Sequence, residues 1–182
     1  MKLAPLPLKS LTLAGLLLAA ASAQADVVVY TDRTAFLAAL SAPGTDTFND
    51  LTNAETASPL SRTAGPYSYR ASAGPVSDFW PAGSPPDIWL STTSANDTIT
   101  FDAFSAGVRG FGGNFFGSDI NGSFEAGHTM VLTATSGAFT RTVNLYNTTT
   151  TTFLGFISSD PLATVTLHND GLPGAVYWST AN

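Results

Sequence analysis

Residues 108–134 read VRGFGGNFFGSDINGSFEAGHTMVLTA, and this stretch decides the fold class. Val108–Phe116 alternates apolar residues with Gly, Arg and Asn, which is typical of a strand, and a second strand is predicted over Phe124–Ala134. Asn121-Gly122 lies between them and is the strongest hairpin signal in the chain, because both residues accept the positive φ that tight hairpin turns require. The stretch therefore predicts two antiparallel strands joined by a turn.

Short strands bounded by turn residues are also predicted on both sides of this hairpin. One helix is predicted from about Asp32 to Ser41, since Phe36, Leu37 and Leu40 share one face and Pro43-Gly44 ends it. About ten strands with one early helix predict an all-β, antiparallel β-sandwich of the jelly-roll kind, as a single domain over residues 26–182. A polar loop is predicted up to about Ala64. The strand candidates outside the hairpin are Val27–Tyr30, Thr45–Asn49, Tyr67–Ala71, Val76–Phe79, Ile88–Ser91, Thr98–Phe101, Phe139–Tyr146, Phe153–Ser158, Ala163–Leu167 and Ala175–Trp178.

Residues 1–25 have the pattern of a cleavable export signal. Lys2 and Lys9 give a positive start, Leu11–Ala21 is apolar, and Ala23-Gln24-Ala25 supplies the small residues that a signal peptidase needs. The mature chain is therefore expected to begin at Asp26 and to lie outside the cytoplasm, as a secreted, extracellular or periplasmic protein. No later run of about 18–20 apolar residues predicts a membrane span in the mature chain.

The composition of the mature chain excludes several functional classes. Both lysines belong to the signal, so five arginines face thirteen acidic residues and the formal charge is −8. Such a chain is repelled by phosphate backbones, which argues against nucleic-acid binding. The sequence has no cysteine, so disulfides, thiolate catalysis and cysteine-bearing zinc sites are excluded.

Two acidic groups are candidate Ca²⁺ sites, because hard cations prefer oxygen ligands. In the first, Asp119, Asn121, Ser123 and Glu125 alternate through the predicted hairpin turn. In the second, Asp46 and Asp50 flank the candidate strand Thr45–Asn49. The alternative interpretation of the first group is a hairpin tip that is polar because it is exposed. No other cofactor is indicated.

Aromatic side chains are candidate carbohydrate-binding residues, since they can stack on sugar rings. Trp80 precedes Pro81 in a predicted surface loop and is the best candidate, together with Tyr67 and Tyr69. For Trp89 and Trp178 the favoured interpretation is packing in the core of a sandwich.

No catalytic residue is predicted. Gly110, Gly112, Gly113 and Gly117 are interspersed with phenylalanines in a strand pattern, whereas a phosphate-binding loop must open a helix. They are therefore interpreted as a bulge or as close sheet packing. The G-x-S-x-G string of a nucleophile elbow does not occur. Glu55 and Glu125 are the only glutamates, which makes the paired carboxylates of a glycosidase a weak expectation.

Five segments together resemble the exported domains of PEP-CTERM proteins from Gram-negative, exopolysaccharide-producing bacteria. They are Phe36–Leu40, Thr47–Asp50, Asp97–Phe101, Val108–Phe116 and Phe153–Ser158. The resemblance covers about residues 27–167 and implies a β-sandwich cargo domain of the cell surface or matrix. The sorting tail of that family, with its Pro-Glu-Pro motif, apolar helix and arginine cluster, does not occur in the sequence. No functional residue is transferred from the family.

Three functions follow, in order of preference. The first is a non-enzymatic structural or interaction protein of the cell surface or extracellular matrix, with exopolysaccharide or surface proteins as partners. The second is a carbohydrate-binding module supported by structural calcium. The third is a polysaccharide-acting enzyme, which requires two carboxylates facing each other in a groove.

Overall fold

Strands form nearly all of the regular secondary structure of the described chain. The structure, a computed structural model, describes residues 26–75, 77–170 and 178–182, with only the backbone at residue 178. The predicted signal, together with parts of the strands predicted over Val76–Phe79 and Ala175–Trp178, lies outside these residues. Within them are one helix, α1 Arg33–Ala39, and thirteen strands: β1 Val27–Tyr30, β2 Leu60–Ala64, β3 Tyr67–Ala73, β4 Ala82–Ser84, β5 Asp87–Ser91, β6 Ile99–Asp102, β7 Gly110–Ser118, β8 Phe124–Glu125, β9 Met130–Ser136, β10 Phe139–Leu145, β11 Phe153–Ser158, β12 Leu162–Asn169 and β13 Trp178–Ala181.

The strands form two antiparallel sheets, which confirms the predicted all-β, antiparallel class. The first sheet has the order β1-β11-β7-β13-β5-β4, with β8 also pairing with β7. The second has the order β10-β9-β12-β6-β3-β2. The predicted hairpin is confirmed, because β8 folds back on β7 with Ser118 opposite Phe124.

One hydrophobic cluster draws on both sheets, and the architecture is therefore sandwich-like. Phe115 and Phe156 enter it from the first sheet, and Phe101, Leu132 and Val165 enter it from the second. All five side chains are at most 1% exposed. Burying this apolar surface is the dominant favourable contribution to folding in a chain without disulfides.

The predicted boundaries were wrong in several places. β2 occupies residues predicted as polar loop, because alternate residues pack inward as it pairs with β3. The predicted strand Thr45–Asn49 is irregular, since Phe48 has a φ of 56°. The predicted strand Phe124–Ala134 is divided between β8 and β9, with Gly127 at a φ of 86° between them. Thirteen strands therefore replace about ten.

The helix is close to its prediction. Asp32 is the N-cap, and its Oδ1 accepts the N–H of Ala35 at 2.7 Å. Phe36 packs on Gly155, where a Cβ would lie 2.4 Å from the ring, and Leu40 packs on Gly110. The glycines of β7 and β11 thus allow the helix and the segment after it to lie close to the first sheet.

Candidate ligand-binding cleft

A cleft of about 450 Å³ lies beside the glycine-rich half of β7. We call it the β7 cleft. One wall is the Val108–Phe115 segment, and the opposite wall is the segment after the helix, residues 40–48. Tyr67, Phe104 and Asn182 complete the lining that concerns the chemistry below. The cleft is therefore built where the first sheet, the second sheet and the only described helix meet.

A buried ion-pair network holds the wall formed by residues 40–48. Arg62 donates from Nε and Nη2 to both oxygens of Asp46, at 2.9 and 2.6 Å. It donates from Nη1 and Nη2 to both oxygens of Asp50, at 2.8 and 2.7 Å. The side chains of Arg62 and Asp46 are 9% and 8% exposed, whereas that of Asp50 is 69% exposed. One guanidinium thus binds two carboxylates in bidentate geometry, which is the strongest form of this pair.

Three further contacts complete this network. The hydroxyl of Tyr69 donates to Asp46 Oδ2 at 2.7 Å. The Arg62 guanidinium lies 5.2 Å from the centroid of the Phe48 ring, and the Phe48 N–H donates to Asp46 Oδ1 at 3.1 Å. These contacts fix the left-handed backbone of Phe48, a conformation that costs free energy for a residue other than glycine.

The network also shifts the pKa values of three of its side chains. Burial, together with the adjacent negative charge of Asp46, raises the pKa of Tyr69 well above its usual range. Hydrogen bonding from Arg62 lowers the pKa of Asp50. The pKa of Arg62 is raised by its bonds to the two carboxylates, against the opposing effect of burial. The hydroxyl therefore stays protonated and the guanidinium stays charged at any ordinary pH.

The structure brings together residues that the sequence assigned to two different sites. Tyr67 and Tyr69, predicted to bind carbohydrate, line the β7 cleft together with Asp46, which was predicted to bind metal. The Tyr67 hydroxyl donates to the Ala42 carbonyl at 2.7 Å and thereby links β3 to the wall formed by residues 40–48. Asp50 joins the same region through Arg62. The guanidinium occupies the carboxylate oxygens that were predicted to hold a cation.

Trp80 lies apart from these residues and does not line the cleft. Its side chain is 48% exposed, and its backbone N–H donates to the Ser91 carbonyl at 2.8 Å. Trp89 is buried and packs edge-on against Phe116, with ring centroids 4.8 Å apart, which confirms its predicted packing role. The exposed Trp80 ring thus forms a separate candidate surface.

The second predicted metal group lies at the β7–β8 hairpin. Asp119 Oδ1 accepts the N–H groups of Asn121 and Ser123, at 2.9 and 2.8 Å, so this carboxylate closes the turn. Glu125 lies on β8 near His128. The pKa of His128 is lowered, because burial outweighs the opposing effect of the negative charge of Glu125. Among the residues that the structure describes, no three His, Asp or Glu side chains form a group suited to a metal ion.

Sequence reasoning missed three arginines of this region. Arg62 lay in a predicted loop, and only its alternation with Leu60 and Ala64 indicated a strand. Arg33 and Arg109 line the cleft, are exposed, and form no ion pair with any described carboxylate. In a chain of net negative charge, two unpaired arginines beside one cleft favour an acidic ligand.

Comparison of the chain with protein-family models, curated proteins and solved structures found no match. The described residues contain no helix with the length and hydrophobicity needed to cross a bilayer.

Proposed function

We propose that this chain is a non-enzymatic, exported protein of the cell surface or extracellular matrix, and that it binds its partner in the β7 cleft. In this proposal the two sheets form a jelly-roll-like sandwich that serves as a rigid support for the cleft. The export pattern of residues 1–25 and the resemblance to PEP-CTERM domains agree with this role.

The observation that carries the proposal is that both oxygens of Asp46 already accept hydrogen bonds from the protein. Asp46 is the side-chain carboxylate on the wall of the cleft formed by residues 40–48. Arg62 donates to both of its oxygens, and the hydroxyl of Tyr69 donates to one of them. A general acid or base must exchange its proton near the working pH. The raised pKa of Tyr69 and the bidentate arginine oppose such exchange. These groups hold a wall in place and leave the cleft as a surface for binding.

Expression of the whole sequence in a Gram-negative host tests location and chemistry together. We expect mass spectrometry to find a mature protein that begins at Asp26 outside the cytoplasm. We also expect no turnover of common hydrolase substrates. An uncut precursor in the cytosol would contradict export. A turnover that Asp46→Asn abolishes, while Asp102→Asn does not, would overturn the non-enzymatic function.

Carbohydrate binding is the second candidate, favoured by the exposed ring of Trp80 and by Tyr67 in the cleft wall. The test is affinity electrophoresis on neutral and acidic polysaccharides. Retention that falls with Trp80→Ala, but not with Tyr146→Ala at another exposed aromatic residue, supports this candidate. Calcium support predicts that EDTA lowers the melting temperature. Equal retention of both variants and an unchanged melting temperature remove it.

A further inference from the structure

The carboxylate of Asp97 is buried without a described group that balances its charge. Asp97 lies between β5 and β6 and is 6% exposed. Its Oδ2 is buried and has no hydrogen-bond partner, and no arginine or histidine among the described residues forms an ion pair with it. Gly74 packs directly on this carboxylate, because a Cβ there would overlap Asp97 Oδ1. A buried carboxylate normally pairs with a cation or binds a metal ion, so Asp97 requires a further positive charge.

The turn that contains Asp97 connects the second sheet to the first. The N–H of Asp97 donates to the Ser94 carbonyl at 3.2 Å, and the Thr92 hydroxyl donates to the same carbonyl at 2.9 Å. Thr92 directly follows β5, which pairs antiparallel with β13. That register, continued by one residue, sets Ser179 opposite Thr92. One turn therefore connects Asp97 to the segment that lies beside Ser179.

Ser179 is a second buried group whose oxygen lacks a partner. It is 0% exposed, and its Oγ has no hydrogen-bond partner among the described residues. Strand alternation sets Ser179 on the same side of β13 as Ala181, which belongs to the hydrophobic core. Its hydroxyl therefore faces the interior between the sheets, where an unsatisfied polar group costs free energy.

The end of β12 supplies a third oxygen. Leu167 pairs with Ile99 of β6, and the same register continued by two residues sets Asn169 opposite Asp97. Both residues lie two positions from a core residue and so share the core side of the second sheet. The side-chain oxygen of Asn169 is buried, and β12 contacts β13. One carboxylate, one amide oxygen and one hydroxyl therefore meet at this end of the core.

We propose that Asp97, Asn169 and Ser179 bind a calcium ion between the two sheets. Ca²⁺ prefers oxygen ligands, and its flexible coordination accepts neutral amide, hydroxyl, carbonyl and water oxygens beside a carboxylate. The ion balances the charge of Asp97 and fastens the turn after β5 to the ends of β12 and β13. A single carboxylate places the dissociation constant at the weak end for calcium sites, at about 0.1–1 mM.

This site differs from the two acidic groups predicted from the sequence. It has one carboxylate, which agrees with the finding that no three His, Asp or Glu side chains form a group among the described residues. None of its three residues lines the β7 cleft. The inference therefore goes beyond the proposed function and holds whether or not the cleft binds a partner.

Thermal unfolding of the mature protein, freed of metal with EDTA and then dialysed, tests the inference. We expect about 10 mM CaCl₂ to raise the melting temperature by about 3 °C or more, because the ion binds the folded state. The same concentration of MgCl₂ should raise it less, since Mg²⁺ gives up its water shell reluctantly. No shift with CaCl₂, or an equal shift with MgCl₂, would overturn the calcium site.

Asp97→Asn keeps the shape of the side chain and removes its charge. We expect this variant to lose the CaCl₂ shift and, in EDTA, to melt at or above the temperature of the wild type, because no buried charge is left unbalanced. Asp170→Asn is the matched control, since Asp170 is exposed and adjoins Asn169 in the chain. A shift that survives Asp97→Asn, or that Asp170→Asn also abolishes, would assign the ion to another place and overturn the inference.

Ser179→Ala decides the question if Asp97→Asn does not fold. It removes one neutral ligand, so the CaCl₂ concentration that gives half of the shift should rise severalfold. An unchanged concentration would overturn the site between the sheets. Loss of every calcium effect beside a correctly exported, catalytically silent protein would leave the proposed function in place. Export failure or turnover would overturn the proposed function, whatever calcium does.

Discussion

Two arginines on neighbouring strands form the same bidentate bond to a carboxylate in opposite environments. Arg62 on β2 binds Asp46 and Asp50, with its side chain 9% exposed. Arg70 on β3 donates from Nε and Nη2 to Asp102, both at 2.7 Å, but its side chain is 48% exposed. In water such a pair contributes little, because solvent screens the charges and the side chains lose entropy. Burial makes Arg62 indispensable to the cleft wall, since its removal would leave a carboxylate without its cation.

The largest expected effect is therefore that of Arg62→Met. Asp46 would remain buried without its cation, which lowers the free energy of unfolding by about 3–5 kcal/mol. Arg70→Met is the matched control and should lose only about 0–1 kcal/mol. Urea denaturation of both variants measures the difference. Similar losses would show that burial does not distinguish the two sites.

Tyr69→Phe removes the third donor to Asp46 while keeping the ring. We expect a loss of about 1.5–3 kcal/mol, because the hydroxyl bonds to a charged group. Tyr67→Phe removes a bond to the neutral Ala42 carbonyl and should cost about 1 kcal/mol. Thermal unfolding of the two variants compares them. A greater loss for Tyr67→Phe would contradict the charge-assisted role of Tyr69.

Alkaline pH should lower the free energy of unfolding through the buried hydroxyl of Tyr69. The pKa of Tyr69 is raised in the folded protein, while an unfolded tyrosine has a pKa of about 10. The stability from this difference is complete below pH 10 and is lost as the pH rises above it, because the unfolded chain then releases a proton that the folded protein retains. Stability measured across this range should fall less steeply in Tyr69→Phe. An unchanged slope would contradict the burial of this hydroxyl.

The smallest effect is expected on the exposed arm of the network. Asp50→Asn should cost about 0–1 kcal/mol, since this carboxylate is 69% exposed and Arg62 keeps its bonds to Asp46. Asp46→Asn should cost more, because Asp46 is buried and also accepts the hydroxyl of Tyr69. Urea denaturation of the pair tests this order. The reverse order would move the anchor of the wall from Asp46 to Asp50.

Local patterns predicted the hairpin, the helix and most strands, because turn residues and alternation act over a few neighbours. They placed Tyr67, Tyr69 and Asp46 among the candidates but assigned them to different chemistries. Their meeting depends on the pairing of β2 with β3 and on Arg62, which is sixteen residues from Asp46. The β7 cleft depends on which strands pair along β7, and a strand pattern alone does not specify its neighbours.

Amide hydrogen exchange along β7 tests the described strand order of the first sheet most directly. The N–H groups of Phe111 and Gly113 point toward β11 and should exchange slowly, at rates typical of a paired strand. Those of Gly110 and Gly112 should exchange much faster, which gives an alternation along the strand. Slow exchange at all four residues would contradict the account, because it would mean that both edges of this part of β7 are paired.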